Sequence, residues 1–116
     1  VVNVASTAAT YGMPYALHYA ASKAAVIGMT RSLARELGRE NIRVNAIAPT
    51  AVVTDSAKRF FADNYQRAME VIKRDQALQR NPEPSDMVGT VLYLLSEASG
   101  FVTGQTIQID GGNVLK

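Results

Sequence analysis

The 116-residue sequence has no cysteine and a single histidine, His18. Without cysteine there is no disulfide framework, no thiolate metal site and no thiol nucleophile. One histidine cannot form a histidine metal cluster, so no metal site is expected. Net charge is nearly lacking too: 12 Lys and Arg stand against 10 Asp and Glu, leaving +2. The isoelectric point near 9.1 rests on that small surplus, and no basic stripe accompanies it, which argues against a nucleic-acid partner. No apolar run approaches the roughly 18 residues of a membrane span. No charged lead with a following apolar core marks a signal peptide, so no membrane partner and a cytoplasmic location are expected. What is there is globular: 47% of residues are hydrophobic and 19% charged, in a length that suits one small domain.

The chain opens Val1-Val2-Asn3-Val4-Ala5, without a starting Met or a polar lead-in. A near-continuous apolar run of this kind reads as a strand buried on both faces, which needs neighbours on both sides. We therefore expect residues 1–116 to be the C-terminal part of a larger domain whose N-terminal half precedes them. The alternative is an edge strand of a complete small domain. Small residues, then Gly12 and Pro14, make 7–14 a loop. A long helix is expected over Leu17–Leu37, rich in Ala, Leu, Arg and Glu and stopped by Gly38. Its Ala20, Ala21, Ala24, Ala25 and Gly28 suit the close approach of another helix. A second buried strand is read over 42–48, ended by Pro49, with a loop at 50–56 and one or two short helices over 57–79. After a proline-broken loop at 80–84, Ser85 is placed to cap a helix running to about Ser96. Val88, Val91, Leu92 and Leu95 recur at helical spacing, the expected inward face. A third strand is expected over Thr106–Ile109, before Asp110-Gly111-Gly112. Strands alternating with helices give an α/β class: three strands of a parallel, doubly wound sheet with crossover helices. In such sheets ligands bind beyond the carboxyl ends of the strands.

Chemistry concentrates there. Tyr19 and Lys23 lie four residues apart on the long helix and share a face. Ser6 follows the first strand, and the loop after it is long enough to bring its hydroxyl to the same place. A phenol serves as a general acid and base only when its anion is stabilised, and an ammonium nearby has the right sign. A serine hydroxyl beside it can polarise a carbonyl for hydride attack. The bland alternative is a solvated Tyr–Lys pair and a strand-end serine.

Four separated segments then agree with one family. Ser6, Tyr19-Ala20-Ala21-Ser22-Lys23, Val44-Asn45-Ala46-Ile47-Ala48-Pro49 and Gly104-Gln105-Thr106-Ile107-Gln108-Ile109-Asp110-Gly111-Gly112 resemble the short-chain dehydrogenase/reductase family, in order and over nearly the whole chain. The likeness is strongest to the subgroup containing 3-oxoacyl-acyl carrier protein reductases and many secondary-alcohol dehydrogenases. It implies a Rossmann-type fold, NAD or NADP as cofactor, and hydride transfer to a small carbonyl or from a secondary alcohol. Carried over by position, Ser6 orients the substrate carbonyl, Tyr19 is the acid and base, and Lys23 binds the nicotinamide ribose and tunes the tyrosine. Pro49, Thr50, Val52 and Thr54 fall in the nicotinamide-side loop; Ala8 and Met13, with Ser6 and Tyr19, fall on the substrate side. The family usually has glycine where Thr50 stands, which bears on the turn. The resemblance also implies a homotetramer or homodimer. The family's glycine-rich pyrophosphate loop and the residue that selects NAD or NADP belong to its first half. This piece alone is therefore expected neither to fold well nor to turn over.

Other residues are open between two readings. His18 is either a pocket wall or a polar helix-start residue. Phe60 and Phe61 are either an apolar lid, or core or an oligomer contact. Asp55 reads as a solvated carboxylate, and Arg31, Arg35 and Arg39 as an exposed face. Besides the oxidoreductase, a non-catalytic binding protein or inactive fragment on the same fold, and an epimerase or dehydratase, are the competing functions.

Overall fold

A computed structural model describes residues 1–115. Three parallel strands form one sheet in the order β1 (Val2–Val4), β2 (Asn45–Pro49), β3 (Thr106–Ile109). Register pairs Asn3 with Ala46 and Ile47 with Ile107. Among the described residues β1 pairs on one side only; Val2 and Asn3 are half-buried and Val4 is exposed. β2 starts at Asn45 rather than at residue 42, because its pairing with β1 begins there, opposite Val2. Val44 N–H instead donates to the Thr103 hydroxyl at 3.1 Å. Pro49 belongs to the strand as its last residue. Its missing N–H is harmless there, and its carbonyl accepts from Thr7 N–H at 3.1 Å.

The helices are α1 (Ala8–Tyr11), α2 (Leu17–Leu37), α3 (Asp55–Phe61), α4 (Tyr65–Asp75) and α5 (Ser85–Leu95). α1 lies in the stretch expected to be loop. α2 has the expected bounds but not the expected stop. Gly38 stays right-handed and opens a 3-10 turn through Glu40, and Asn41 takes the left-handed conformation at φ 58°. α2 docks on the sheet through Val26 and Ile27, against a core of Ala5, Ala46 and Ala48. Small side chains on the strands let the helix approach closely. The fully buried Thr30 accepts from Asn3 Nδ2 at 3.0 Å, tying α2 to β1. The alanine stripe of α2 does not meet a helix among the described residues: Ala21, Ala24, Ala25 and Gly28 are exposed.

Two expectations for α5 are corrected. Ser85 is the first helical residue and makes no side-chain cap. Asp86 instead braces the approach to the helix, its carboxylate accepting from Glu83 N–H at 2.8 Å. Arg80 donates to both oxygens of Asp86, at 2.7 and 2.8 Å, and holds that carboxyl well below the usual carboxylate range. The inward face is not the one expected either. Val88, Leu92 and Leu95 are exposed, and Leu94 is the buried residue.

Asn45 locks β2 to the turn before β3. Its side chain, 1% exposed, donates to Val102 O at 2.9 Å and accepts from Gln105 N–H at 3.0 Å. Asn45→Ala leaves Gln105 N–H unpaired and Val102 O with only its bond from Arg43 Nη1 at 3.3 Å, at a cost of about 1–3 kcal/mol. A urea unfolding midpoint of the complete polypeptide measures it, and an unchanged midpoint would show the amide to be dispensable.

Candidate active site

The site assembles where β1 and β2 end. Beyond β1 the backbone turns at Ala5, and Ser6 is buried with its Oγ accepting from Ala8 N–H at 3.1 Å, at the start of α1. A hydroxyl that accepts this way keeps its own hydrogen to donate. Thr7 fastens the turn to the end of β2: its N–H and its hydroxyl both donate to Pro49 O, at 3.1 and 3.4 Å.

From the other side α2 presents Tyr19 and Lys23 one turn apart. Lys23 Nζ donates to Val4 O at 3.0 Å, which pins the ammonium to the end of β1. The same nitrogen stands 5.8 Å from the centre of the Tyr19 ring. Phe60 of α3 packs on that ring at 5.1 Å, and Phe61 meets Phe60 edge-on at 5.1 Å. The phenol is thus held between a cation and an aromatic pair.

These groups face one cavity of about 270 Å³. Every residue that the resemblance placed in the site lines it: Ser6, Tyr19 and Lys23; Ala8 and Met13; Pro49, Thr50, Val52 and Thr54. Phe60 and Phe61 line it too, whereas His18 is exposed and outside its wall. Thr50 continues the sheet, its N–H 3.4 Å from Ile109 O, and it needs no left-handed backbone, so the turn accommodates a side chain. Thr54 has a structural task as well, since its hydroxyl caps α3 by accepting from Ala57 N–H at 3.1 Å. Between them, the N–H groups of Ala51 and Val52 have no protein acceptor among the described residues.

Several wall residues escaped the sequence reading, among them Thr7, Tyr11 and Ile72. Tyr11 lies three residues after Ala8, a helical spacing hidden by Gly12 and Pro14. Its phenol pKa is raised, first by burial and then by the neighbouring Tyr19 phenol.

A family model described as enoyl-(acyl carrier protein) reductase matches residues 1–113. The chain belongs to the short-chain dehydrogenase/reductase family. Along 115 residues it is 43% identical to a 3-oxoacyl-(acyl-carrier-protein) reductase of Thermotoga maritima, covering 99% of this chain and 45% of that protein. Over 72 residues it is 44% identical to the 2-dehydro-3-deoxy-D-gluconate 5-dehydrogenase of Escherichia coli, covering 62% of this chain and 28% of the relative. Among solved structures it superposes on 4-hydroxyisoleucine dehydrogenase complexed with NADH with a TM-score of 0.87 and 38% identity, over 97% of this chain and 46% of that one. Levodione reductase gives 0.84 and 37%, over 96% and 45%. The chain thus spans less than half the length of these relatives. Within the short-chain dehydrogenase/reductase family, the parallel sheet with crossover helices described above is the Rossmann-type fold expected from the sequence.

Proposed function

We propose that the polypeptide carrying this chain is an NAD- or NADP-dependent oxidoreductase that interconverts a small carbonyl compound and a secondary alcohol, with residues 1–116 as the C-terminal part of its dinucleotide-binding domain. The observation that carries the reading is the convergence of Ser6, Tyr19 and Lys23 on one cavity at the strands' carboxyl ends. The likeness to oxidoreductases, one of them complexed with NADH, supports it.

The residues present fit a nicotinamide. The unpaired N–H groups of Ala51 and Val52 suit a carboxamide, beside Pro49, Thr50 and Thr54. Lys23 spends one of its three N–H donors on Val4 O and keeps the others for ribose hydroxyls. When bound, the nicotinamide supplies or accepts the hydride. The chain's own residues handle the proton and the charge. Ser6 donates its free hydrogen to the carbonyl oxygen, and Tyr19 Oη gives that oxygen its proton as the carbon is reduced. In the reverse direction Tyr19 takes the alcohol proton. The Lys23 ammonium, fixed by Val4 O, supplies the positive charge that a phenolate requires. Ala8 and Met13 with the Phe60–Phe61 pair form the apolar wall on the substrate side. Assembly as a homotetramer or homodimer and a cytoplasmic setting belong to the same reading. No helix among the described residues is long and apolar enough to cross a membrane.

The test is a ketone and secondary-alcohol panel with both nicotinamide cofactors, run on the complete polypeptide and followed by nicotinamide absorbance. Saturable NADH or NADPH binding with turnover of at least one pair is expected. Binding of neither cofactor and turnover of no substrate would leave a non-catalytic protein on this fold.

A further inference from the structure

Beside the Ser6–Tyr19–Lys23 pocket lies a second cavity whose charge the reaction above does not use. Its volume is about 810 Å³, against about 270 Å³ for the first. Tyr11, Phe61 and Ile72 belong to the walls of both, so the two are contiguous. Val71, Val114 and Leu115 make the second one largely apolar.

Two charged residues stand in its wall, Arg67 and Asp75. Asp75 is already engaged, accepting from Arg74 Nε at 3.2 Å. Arg67 has no ion pair among the described residues. Helix stability does not explain it. Arg67 is the third residue of α4, whose first turn holds no acidic residue, and a cation there opposes the positive end of the helix. A guanidinium placed against the helix dipole, unpaired, on the rim of an apolar cavity is suited to an anion from outside.

We infer, on the strength of the oxidoreductase reading above, that the substrate is a carbonyl compound or alcohol with an apolar body ending in a carboxylate. The reacting carbon lies at Ser6 and Tyr19, the apolar body fills the contiguous cavity, and Arg67 receives the carboxylate. Arg67 is a specificity-determining residue by this account, and neutral ketones are the poorer substrates.

The probes are levulinate and its longer straight-chain keto-acid homologues, each against its methyl ester, with the complete polypeptide. The wild type is expected to prefer an acid to its ester in kcat/KM, with the difference mainly in KM. Arg67→Met lowers that acid-to-ester ratio about three- to five-fold, Arg67→Glu reverses the preference, and Arg67→Lys restores part of it. An equal preference in wild type and Arg67→Met overturns the inference, as does a wild type that favours esters. A wild type that reduces neither series but turns over another ketone or alcohol also overturns the inference, whereas one that turns over nothing and binds neither cofactor sinks the oxidoreductase reading instead. Calorimetric titration of the same acids and esters into wild type and Arg67→Met then decides the anion site without turnover. Acid binding that is insensitive to Arg67 removes the site.

Discussion

Tyr19→Phe in the complete enzyme lowers kcat by about a thousand-fold while cofactor affinity stays within a few-fold. The substitution removes one oxygen and little else. The ring keeps its place against Phe60 at 5.1 Å, and Lys23 keeps its bond to Val4 O at 3.0 Å. What is lost is the group that, in the proposed mechanism, exchanges a proton with the substrate oxygen. Ser6 cannot replace it: its hydroxyl can polarise the oxygen by donating a hydrogen bond, but an aliphatic alkoxide is far more basic than a phenolate, so a serine does not give up the proton. The measurements are single-turnover rates with a ketone and a fluorescence titration with reduced cofactor. A kcat within three-fold of wild type would remove Tyr19 from the chemistry, and equal losses in kcat and cofactor affinity would assign it a binding role instead.

The sequence was legible where local chemistry and fold agree. α2 carries a long run of good helix formers, and both its ends are where they were read. The cavity was legible for another reason: side chains at strand ends and one turn apart on a helix converge through topology, so Ser6, Tyr19 and Lys23 need no fine geometry to be placed together. α1 was not legible. Four residues, Ala-Ala-Thr-Tyr, carry no periodicity, and the helix exists because Ser6 Oγ meets its first turn and Thr7 is tied to Pro49. That omission hid Tyr11. The bounds of β2 depend on its partners rather than on its own apolar run. On α5 the spacing of Val88, Leu92 and Leu95 reports that an apolar stripe exists, not what covers it. Leu94, off that stripe, is the residue the sheet side buries. Capping followed side-chain reach. Ser85 makes no cap on α5, whereas Thr54, singled out for a cofactor contact, also caps α3.

Lys23→Met should damage two steps at once, which separates it from Tyr19→Phe. The methionine keeps an unbranched apolar stem along α2 but has no donor for Val4 O and no charge. Without the ammonium the Tyr19 phenolate loses its nearest cation, now 5.8 Å from the ring centre, and kcat falls about a hundred-fold or more. Without the remaining N–H donors the ribose hydroxyls lose their anchor, and the cofactor Kd rises about ten-fold. Lys23→Arg does not restore either, because a planar guanidinium replaces a compact ammonium that must reach both Val4 O and the cavity. Folding should be little affected, since Lys23 is half-buried and contributes no apolar core contact. Cofactor titration, single-turnover rate and melting temperature measured together read the three effects. A lowered melting temperature with rate and affinity intact would reduce Lys23 to a brace for β1. Loss of affinity alone would leave Tyr19 working without the cation, and the charge argument for the site would fall.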